Sequence, residues 1–360
     1  MRVTRGGPLL TYCSNVHAGE TLAELRSNLS RHAAAVKARV CPDRPFGVGL
    51  RLSARTAAEL ERPKALQDLK RFLEARGLFV FTVNGFPYGS FQGPRGKDAV
   101  FRPDWLEPER RAYTDRLARI LAELLPEGVA GTISTLPGAF RPRVGGQDAA
   151  RKLADNLRRG AEALEKLDRD VRLALEPGPF CHLESAADVL EFYDRWLAEP
   201  WLRRRVGVCL DACHSAVSFE RPVEAFEALQ RAEIPVVKVQ LSAGLTLRWD
   251  SAVADAELRR LAKDAHLHQV FERRDGRVRG FLDLPEALTH ARREGEWRVH
   301  WHAPLYAGKI GPFGTTAYET EALLARLRRP YPHLEVDSDS HRATPESLTK
   351  EFRWVLDRLN

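Results

Sequence analysis

Short apolar runs that turn polar near their ends recur along the chain. Between them lie longer stretches in which apolar residues follow the three- and four-residue spacing of amphipathic helices. The first such helix begins after Thr21, where Glu24 completes a capping-box pattern. The repetition of strand, loop and helix predicts a parallel sheet with right-handed crossovers. The first seven strand candidates are LLTYCSNVH (9–17), FGVGLRLS (46–53), LFVFTVNG (78–85), GVAGTISTLPG (128–138), VRLALEP (171–177), RVGVCLDACHS (205–215) and PVVKVQLSAG (235–244).

The last third of the chain is less regular. LHQVFERRDGRVRGFLDL (267–284) predicts a β-hairpin that turns at Asp275-Gly276. WRVHWHAPL (297–305) and HLEVDSDS (333–340) are further strand candidates, and together they exceed by one the eight positions of a (β/α)8 barrel. We therefore expect an α/β fold, a (β/α)8 barrel over residues 1–360 as one domain, with a small hairpin insertion near 267–284. Which of the last two candidates closes the barrel stays open.

A long Gly/Pro/aromatic loop follows the third strand candidate, at residues 86–105. Loops of that length usually carry function in compact domains. In a barrel of this type, the loops that follow the strands surround the active site. We therefore expect this loop to have a functional role.

Composition narrows the class of protein. The 360 residues are 44% hydrophobic and 29% charged, as is ordinary for a globular chain. No apolar run predicts a membrane span or a signal peptide, so we expect a cytoplasmic protein. The 5 cysteines are odd in number and lack zinc-ribbon spacing, which favours free thiols. The net charge of +7 comes from arginines interspersed with glutamates on predicted helices. This distribution makes a nucleic-acid partner unlikely and favours a small-molecule ligand.

Polar side chains accumulate towards the ends of several strand candidates. Strands of an all-parallel sheet are usually apolar on both faces, but here one face of each strand turns polar. Active sites of (β/α)8 barrels lie at this carboxyl-terminal rim. The residues concerned are Glu176, Asp211, Lys238, Gln240, His300, His302 and Glu335, with Asn84 and His17 on the polar faces of two earlier candidates.

Oxygen and imidazole donors in this mixture suit Mn²⁺, Mg²⁺, Co²⁺ or Zn²⁺. Each residue also has a structural explanation: Asp211 can cap the next helix, and Lys238 can pair with Glu176. Asp211 and His214 form a D-x-x-H pair that can bind one metal together, or His214 can orient a substrate hydroxyl. The coincidence at several strand ends favours a divalent-metal site over these separate explanations.

Several of these motifs resemble known families. LALEPG, VCLDACH and LEV are similar to the xylose isomerase-like TIM barrels, which include sugar-phosphate isomerases and epimerases and endonuclease IV. LTYCSNVHAGET, VFTVNGFPYG, VVKVQLSAG and WRVHWHAPL resemble, more narrowly, the EboE family of metabolite traffic proteins from bacterial Ebo gene clusters. That resemblance extends over nearly the whole chain. It implies partner proteins from the same gene cluster, and it is compatible with both a monomer and a homo-oligomer.

The epimerase branch of this superfamily implies roles for the strand-end residues. Glu176, Asp211 and Glu335 would hold a divalent metal, with Gln240 where the family has histidine. His300 or His302 would be the substitute ligand, and we favour His302. Glu176 and Glu335 would also be the acid/base pair that moves a proton between neighbouring carbons. The expected substrate contacts are His214, His300, Lys238, Asn84 and His17.

Three functions are compatible with these patterns. We favour a metal-dependent isomerase or epimerase of a small polar metabolite. The second is a non-catalytic binding or carrier protein, which the departure at Gln240 and the traffic role of the narrower family suggest. The third is an endonuclease IV-like phosphodiesterase, suggested by the D-x-x-H pair and the basic charge. This third function requires a histidine-rich three-metal site that few of the strand ends could supply.

Overall fold

The structure, a computed structural model, describes residues 1–17, 19–89, 100–249, 252–263, 266–292, 294–338 and 343–359. The strands are β1 (Leu10–Tyr12), β2 (Phe46–Arg51), β3 (Leu78–Asn84), β4 (Gly131–Thr135), β5 (Val171–Leu175), β6 (Val206–Asp211), β7 (Val236–Leu241), β8 (Leu245–Arg248), β9 (Val270–Arg274), β10 (Arg277–Phe281), β11 (Glu296–Val299), β12 (Lys309–Ile310), β13 (Phe313–Thr315) and β14 (His333–Val336).

Helices follow most of the strands, and the predicted capping box of Thr21 and Glu24 is confirmed at the first helix. A π-helical turn, Leu29–Ala33, joins the first two helices, and Ser14–Val16 and Arg141–Arg143 are 3-10 turns. The α-helices are α1 (Leu22–Asn28), α2 (Ala34–Val40), α3 (Ala54–Leu60), α4 (Pro63–Glu74), α5 (Pro108–Leu124), α6 (Gln147–Glu165), α7 (Ala186–Trp196), α8 (Pro200–Arg205), α9 (Ala212–Val217), α10 (Pro222–Arg231), α11 (Ala252–Leu261), α12 (Leu284–His290), α13 (Ala317–Leu324) and α14 (Pro345–Leu359). Within the described ranges, none of them is long and apolar enough to cross a membrane.

Eight parallel strands form a sheet that nearly closes into a barrel. Their order is β1, β14, β7, β6, β5, β4, β3, β2. The two ends of this order meet through a single parallel bridge between Cys13 and Gly49. The Thr11 hydroxyl reinforces the closure, because it donates to the carbonyl of Gly47 (2.8 Å) and accepts from the amide of Gly49 (2.9 Å). The predicted (β/α)8 barrel is therefore confirmed.

The candidate at 333–340 provides the strand that closes the barrel. It forms β14, which pairs in parallel with β1 and β7. The candidate at 297–305 forms β11, which is antiparallel in a second sheet of order β10, β9, β11, β8, β13, β12. The predicted hairpin is confirmed as β9 and β10 of this second sheet, turning at Asp275-Gly276. The insertion thus extends well beyond the hairpin, and His300 and His302 follow a strand that is not part of the barrel.

The two faces of the barrel strands differ in polarity. Apolar residues such as Leu173 and Val239 are fully buried in the core. Polar residues of the other face are also buried, and they bond across the barrel: the Lys238 ammonium on β7 donates to the Ser134 hydroxyl on β4 at 3.3 Å. Since β4 and β7 are not neighbours in the sheet, these side chains lie in the barrel interior. Towards the carboxyl-terminal ends of the strands, this polar interior is continuous with the candidate site.

Candidate active site

A cavity of about 240 Å³ opens at the carboxyl-terminal ends of the barrel strands. Asn84 and Thr135 reach it from the last residues of β3 and β4, and Gln240 reaches it from near the end of β7. Glu176 and Asp337 also line it, directly after β5 and β14. The cavity is therefore at the rim where the strand-end pattern predicts a site.

Asp211 combines a structural role with a free oxygen. It is 1% exposed and ends β6. Its Oδ1 caps α9 by accepting from the backbone amide of His214 (2.9 Å), and it also accepts from the Ser242 hydroxyl (2.7 Å). Its Oδ2 is buried and has no hydrogen-bond partner among the described residues. A buried carboxylate oxygen without a partner is costly, which points to a ligand at this position.

His214 is oriented so that one ring nitrogen faces Asp211. Its Nδ1 lies 3.0 Å from the carbonyl oxygen of Pro177. Because a carbonyl only accepts hydrogen bonds, Nδ1 carries the proton and Nε2 presents a lone pair. Nε2 is 3.9 Å from Asp211 Oδ2. Proteins usually orient a metal-binding histidine in this way: the ring nitrogen that does not bind the metal, here Nδ1, donates to a carboxylate, a water or a backbone carbonyl.

His302, in the loop after β11, lies close to Asp211 and His214. One donor atom from each of Asp211, His214 and His302 lies within 4.8 Å of the other two. Three donor atoms at this separation can share one divalent ion. The two histidines and the aspartate thus form a candidate metal centre. Of these three, the resemblance implies Asp211 and His302 as ligands and His214 as a substrate contact.

The imidazole of His300 contacts the imidazole of His302. Its Nε2 lies 3.1 Å from Nε2 of His302, and its Nδ1 lies 2.6 Å from Oε1 of Gln269. Burial lowers the pKa of His300 well below its usual range, and the imidazoles of His214 and His302 lower it further. His300 is therefore neutral and fixes the orientation of its neighbour.

Two carboxyl groups on the cavity wall hold protons easily. Within the described part of the chain, no group donates a hydrogen bond to the carboxylate of Glu176. Burial raises the pKa of Glu176 to about 7, with His214 lowering it and Asp211 raising it. Burial also raises the pKa of Asp337 well above its usual range, and the carboxylates of Asp211 and Glu335 add to this effect. A carboxyl group that titrates near neutral pH is suited to general acid/base catalysis.

Glu335 lies below the cavity, in the barrel interior, and is not among the described residues that line it. Its Oε2 is 2.6 Å from the ammonium of Lys238, and the Asn84 amide donates to both of its oxygens (3.2 and 3.0 Å). A Cβ on Gly49 would lie 1.5 Å from Oε1, so only glycine fits beside it. Burial lowers the pKa of Lys238, but Glu335 together with Cys209, Glu176 and Cys13 raises it by more, so the net shift of the pKa is upward. Lys238 therefore pairs with Glu335, and the structure does not bring Glu335 to the candidate metal centre.

Asn84 fixes the orientation of Gln240. The side-chain oxygen of Asn84 accepts from Lys238 (2.9 Å), from the Ser134 hydroxyl (2.9 Å) and from Nε2 of Gln240 (3.2 Å). The amide oxygen of Gln240 is thereby directed away from Asn84. It is buried without a hydrogen-bond partner among the described residues, on a side chain that lines the cavity. This oxygen is an acceptor available to a ligand hydroxyl or to a metal.

His17 lies outside this cavity. It stacks on His32 with 3.8 Å between ring centroids. Burial lowers the pKa of His17, His32 adds a smaller effect in the same direction, and the resulting pKa is about 3. The structure therefore separates His17 from the other expected substrate contacts.

Several residues that line the cavity were not predicted individually as site residues, among them Asn15, Thr135, His266, His268 and Gln269. Asp337 shares the strand face of Glu335 but lies two positions further along, and this parity was its only signal. An apolar part of the wall, which includes Phe86 and Phe101, comes from the two ends of the long loop after β3. Residues 90–99 of that loop lie outside the described residues.

Three solved structures share this architecture. One is a xylose isomerase-like TIM barrel protein from Mycobacterium smegmatis in complex with magnesium (10% identity, TM-score 0.56, covering 98% of this chain and 96% of that chain). Another is a D-tagatose 3-epimerase-like protein (14%, 0.52, 98% and 100%). The third is the IOLI protein with a bound zinc atom (12%, 0.52, 98% and 98%). At these identities the similarity establishes the fold.

Sequence comparison establishes the family. The family model for the xylose isomerase-like TIM barrel matches residues 48–244, which is more than half of the chain. No curated protein matches the sequence. The matched segment runs from β2 to the end of β7 and contains Glu176, Asp211 and Gln240. The chain therefore belongs to the xylose isomerase-like TIM barrel family.

Proposed function

We propose that this protein is a divalent-metal-dependent enzyme that moves a proton between neighbouring carbons of a small hydroxycarbonyl metabolite. This is the reaction type of sugar isomerases and epimerases. One observation carries the proposal: Asp211 Oδ2 is buried without a hydrogen-bond partner among the described residues, beside Nε2 of His214 and the ring of His302.

The donor set fits a divalent ion. Asp211, His214 and His302 would hold it, and the amide oxygen of Gln240 is available on the same wall. Two imidazoles and one carboxylate favour Zn²⁺, Co²⁺ or Mn²⁺ over Mg²⁺, which prefers oxygen ligands. When bound, such an ion would polarise the carbonyl oxygen of the substrate and so acidify the adjacent C–H bond.

The chain itself supplies the proton transfers. Glu176, with its raised pKa and no hydrogen bond from the described residues, takes the proton from the carbon beside the carbonyl. Asp337, on the same cavity wall, returns a proton at the neighbouring position. We assign this second role to Asp337 because Lys238 and Asn84 occupy both oxygens of Glu335.

Deuterium exchange tests this assignment. Metal-reconstituted protein is incubated in D₂O with dihydroxyacetone, D-ribulose or D-fructose, and exchange at the carbon beside the carbonyl is followed by NMR. We expect exchange in the wild type and a loss of about 10² to 10⁴-fold in Glu176→Gln, with the metal content unchanged. Glu191→Gln, at an exposed position on α7, is the matched control and keeps the wild-type rate. Equal exchange in wild type and Glu176→Gln, or none in either, contradicts the proposal.

A second candidate function is a metabolite-binding or carrier protein that uses the same cavity. The observation that favours it is the Lys238–Glu335 pair, which removes from the cavity one of the two carboxylates that the epimerases use. A role in metabolite traffic like that of the EboE family, with partners from the same gene cluster, belongs to this candidate. Ligand binding without any deuterium exchange would support it over the enzyme.

A further inference from the structure

Part of the cavity wall is formed by apolar side chains. Phe86, Val100, Phe101, Leu136 and Leu267, which we call the mouth cluster, all line the cavity. They belong to a hydrophobic cluster separate from the main core. Phe101 stacks on Phe140 with 5.0 Å between ring centroids, so the wall is supported from behind.

The mouth cluster is not simply a small core beneath the loops. A core of that kind would bury its apolar side chains, as it does Phe101 and Leu136. Phe86, Val100 and Leu267 instead remain half-buried, with side chains in the cavity lining. Apolar surface left exposed within a concave site marks a position that a ligand covers.

The polar and apolar residues of the cavity come largely from different parts of the fold. Polar residues such as Asn84 and Glu176 are the last residues of barrel strands or directly follow them. Phe86 lies two residues beyond Asn84, and Val100, Phe101 and Leu267 come from the loops and from the insertion. The strand ends thus supply a polar part of the cavity, which we call its floor. The mouth cluster lies mainly on the loops around it, although Leu136 directly follows β4 and Leu267 lies between the polar lining residues His266 and His268.

From this arrangement we propose that the ligand is amphipathic, with a hydroxycarbonyl end at the floor and a hydrocarbon or aryl substituent against the mouth cluster. The identity of the polar end rests on the proposed function, whereas the apolar substituent rests on the mouth cluster alone. An unsubstituted sugar would use the aromatic rings for stacking and would leave Val100, Leu136 and Leu267 without a role. The substrate class is thus a hydrophobically substituted hydroxycarbonyl compound.

A homologous ligand series tests the proposal. The probes are 1-hydroxyalkan-2-ones from hydroxyacetone to 1-hydroxyoctan-2-one, with dissociation constants measured by titration calorimetry or ligand-observed NMR. Each methylene that leaves water against the mouth cluster should tighten binding by up to about fourfold. Leu267→Gln and Val100→Thr keep similar side-chain volumes and should flatten this dependence on chain length. Leu190→Gln, at a half-buried position on α7 outside the cavity, is the control and should keep the wild-type slope.

The outcomes separate this inference from the proposed function. A chain-length dependence in the wild type, with no deuterium exchange in the wild type either, supports the amphipathic ligand and rejects the enzyme. A flat series in the wild type, no binding by any probe, or an unchanged slope in both Leu267→Gln and Val100→Thr overturns the inference. A flat series alongside measurable deuterium exchange rejects the amphipathic ligand and leaves the enzyme in place.

Discussion

Single residues at the strand ends divide between holding the barrel together and facing the cavity. Asp211 and Gln240 each have one side-chain atom hydrogen-bonded within the protein and one buried oxygen with no hydrogen-bond partner in the described part of the chain. Glu335 is fully satisfied by Lys238 and Asn84. The strand-end pattern predicted that these residues lie close together. It could not predict which of them reach the cavity, because parity fixes the strand face but not the depth along the barrel axis.

The buried Lys238–Glu335 pair gives a prediction at this scale. Lys238→Met removes the cation and leaves a buried carboxylate unpaired, which should lower the free energy of unfolding by about 3 to 5 kcal/mol in denaturant titrations. Arg71→Met breaks an exposed pair with Asp68 and should cost less than about 1 kcal/mol. If the two substitutions cost the same, the Lys238–Glu335 pair does not have the structural role we assign to it.

Among the elements, the barrel was predicted well because strand, loop and amphipathic helix alternate regularly along the first two thirds of the chain. The second sheet was not predicted as a sheet, because strands such as β12 (Lys309–Ile310) and β13 (Phe313–Thr315) are too short to show alternation. β11 was a candidate for the barrel because its segment alternates, with His300 and His302 opposite Val299 and Trp301. In the structure it lies between β9 and β8 and is nearly all buried. Its burial pattern therefore resembles that of a barrel strand.

The contact between the loop after β1 and the π-helical turn gives a pH prediction. His17 on the loop stacks on His32 on the turn, and the pKa of His17 is lowered to about 3 by burial. Between this value and the unfolded pKa of about 6.5, the unfolded chain binds a proton at His17 and the folded chain does not. Acidification through this window therefore favours unfolding.

The corresponding variant is His17→Phe, which keeps an aromatic ring but cannot titrate. The loss of unfolding free energy between pH 7 and pH 5 should be about 1 to 2 kcal/mol larger in the wild type than in His17→Phe. His290→Phe, at an exposed histidine on α12, should behave like the wild type. Parallel pH profiles for wild type and His17→Phe would show that the stack does not titrate as described.

On the scale of the whole molecule, the barrel supplies the polar floor of the cavity and the insertion supplies part of its wall. His300 and His302 come from the insertion, whereas Asp211 and His214 come from the barrel. The candidate metal centre therefore joins both parts of the fold. The D-x-x-H spacing indicated that Asp211 and His214 could bind one metal together, whereas the family resemblance implied His214 as a substrate contact. They could not show that two histidines beyond a strand of another sheet reach the same point, because that contact depends on how the two sheets pack.

The location of a bound metal tests the central claim most directly. Anomalous diffraction at the manganese absorption edge, from crystals grown with Mn²⁺, would locate the ion without reference to activity. We predict a single peak within ligand distance, about 2.0 to 2.3 Å, of Asp211 Oδ2, His214 Nε2 and a ring nitrogen of His302. A peak held by Glu176 and Glu335, or the absence of any peak in the cavity, would contradict the account.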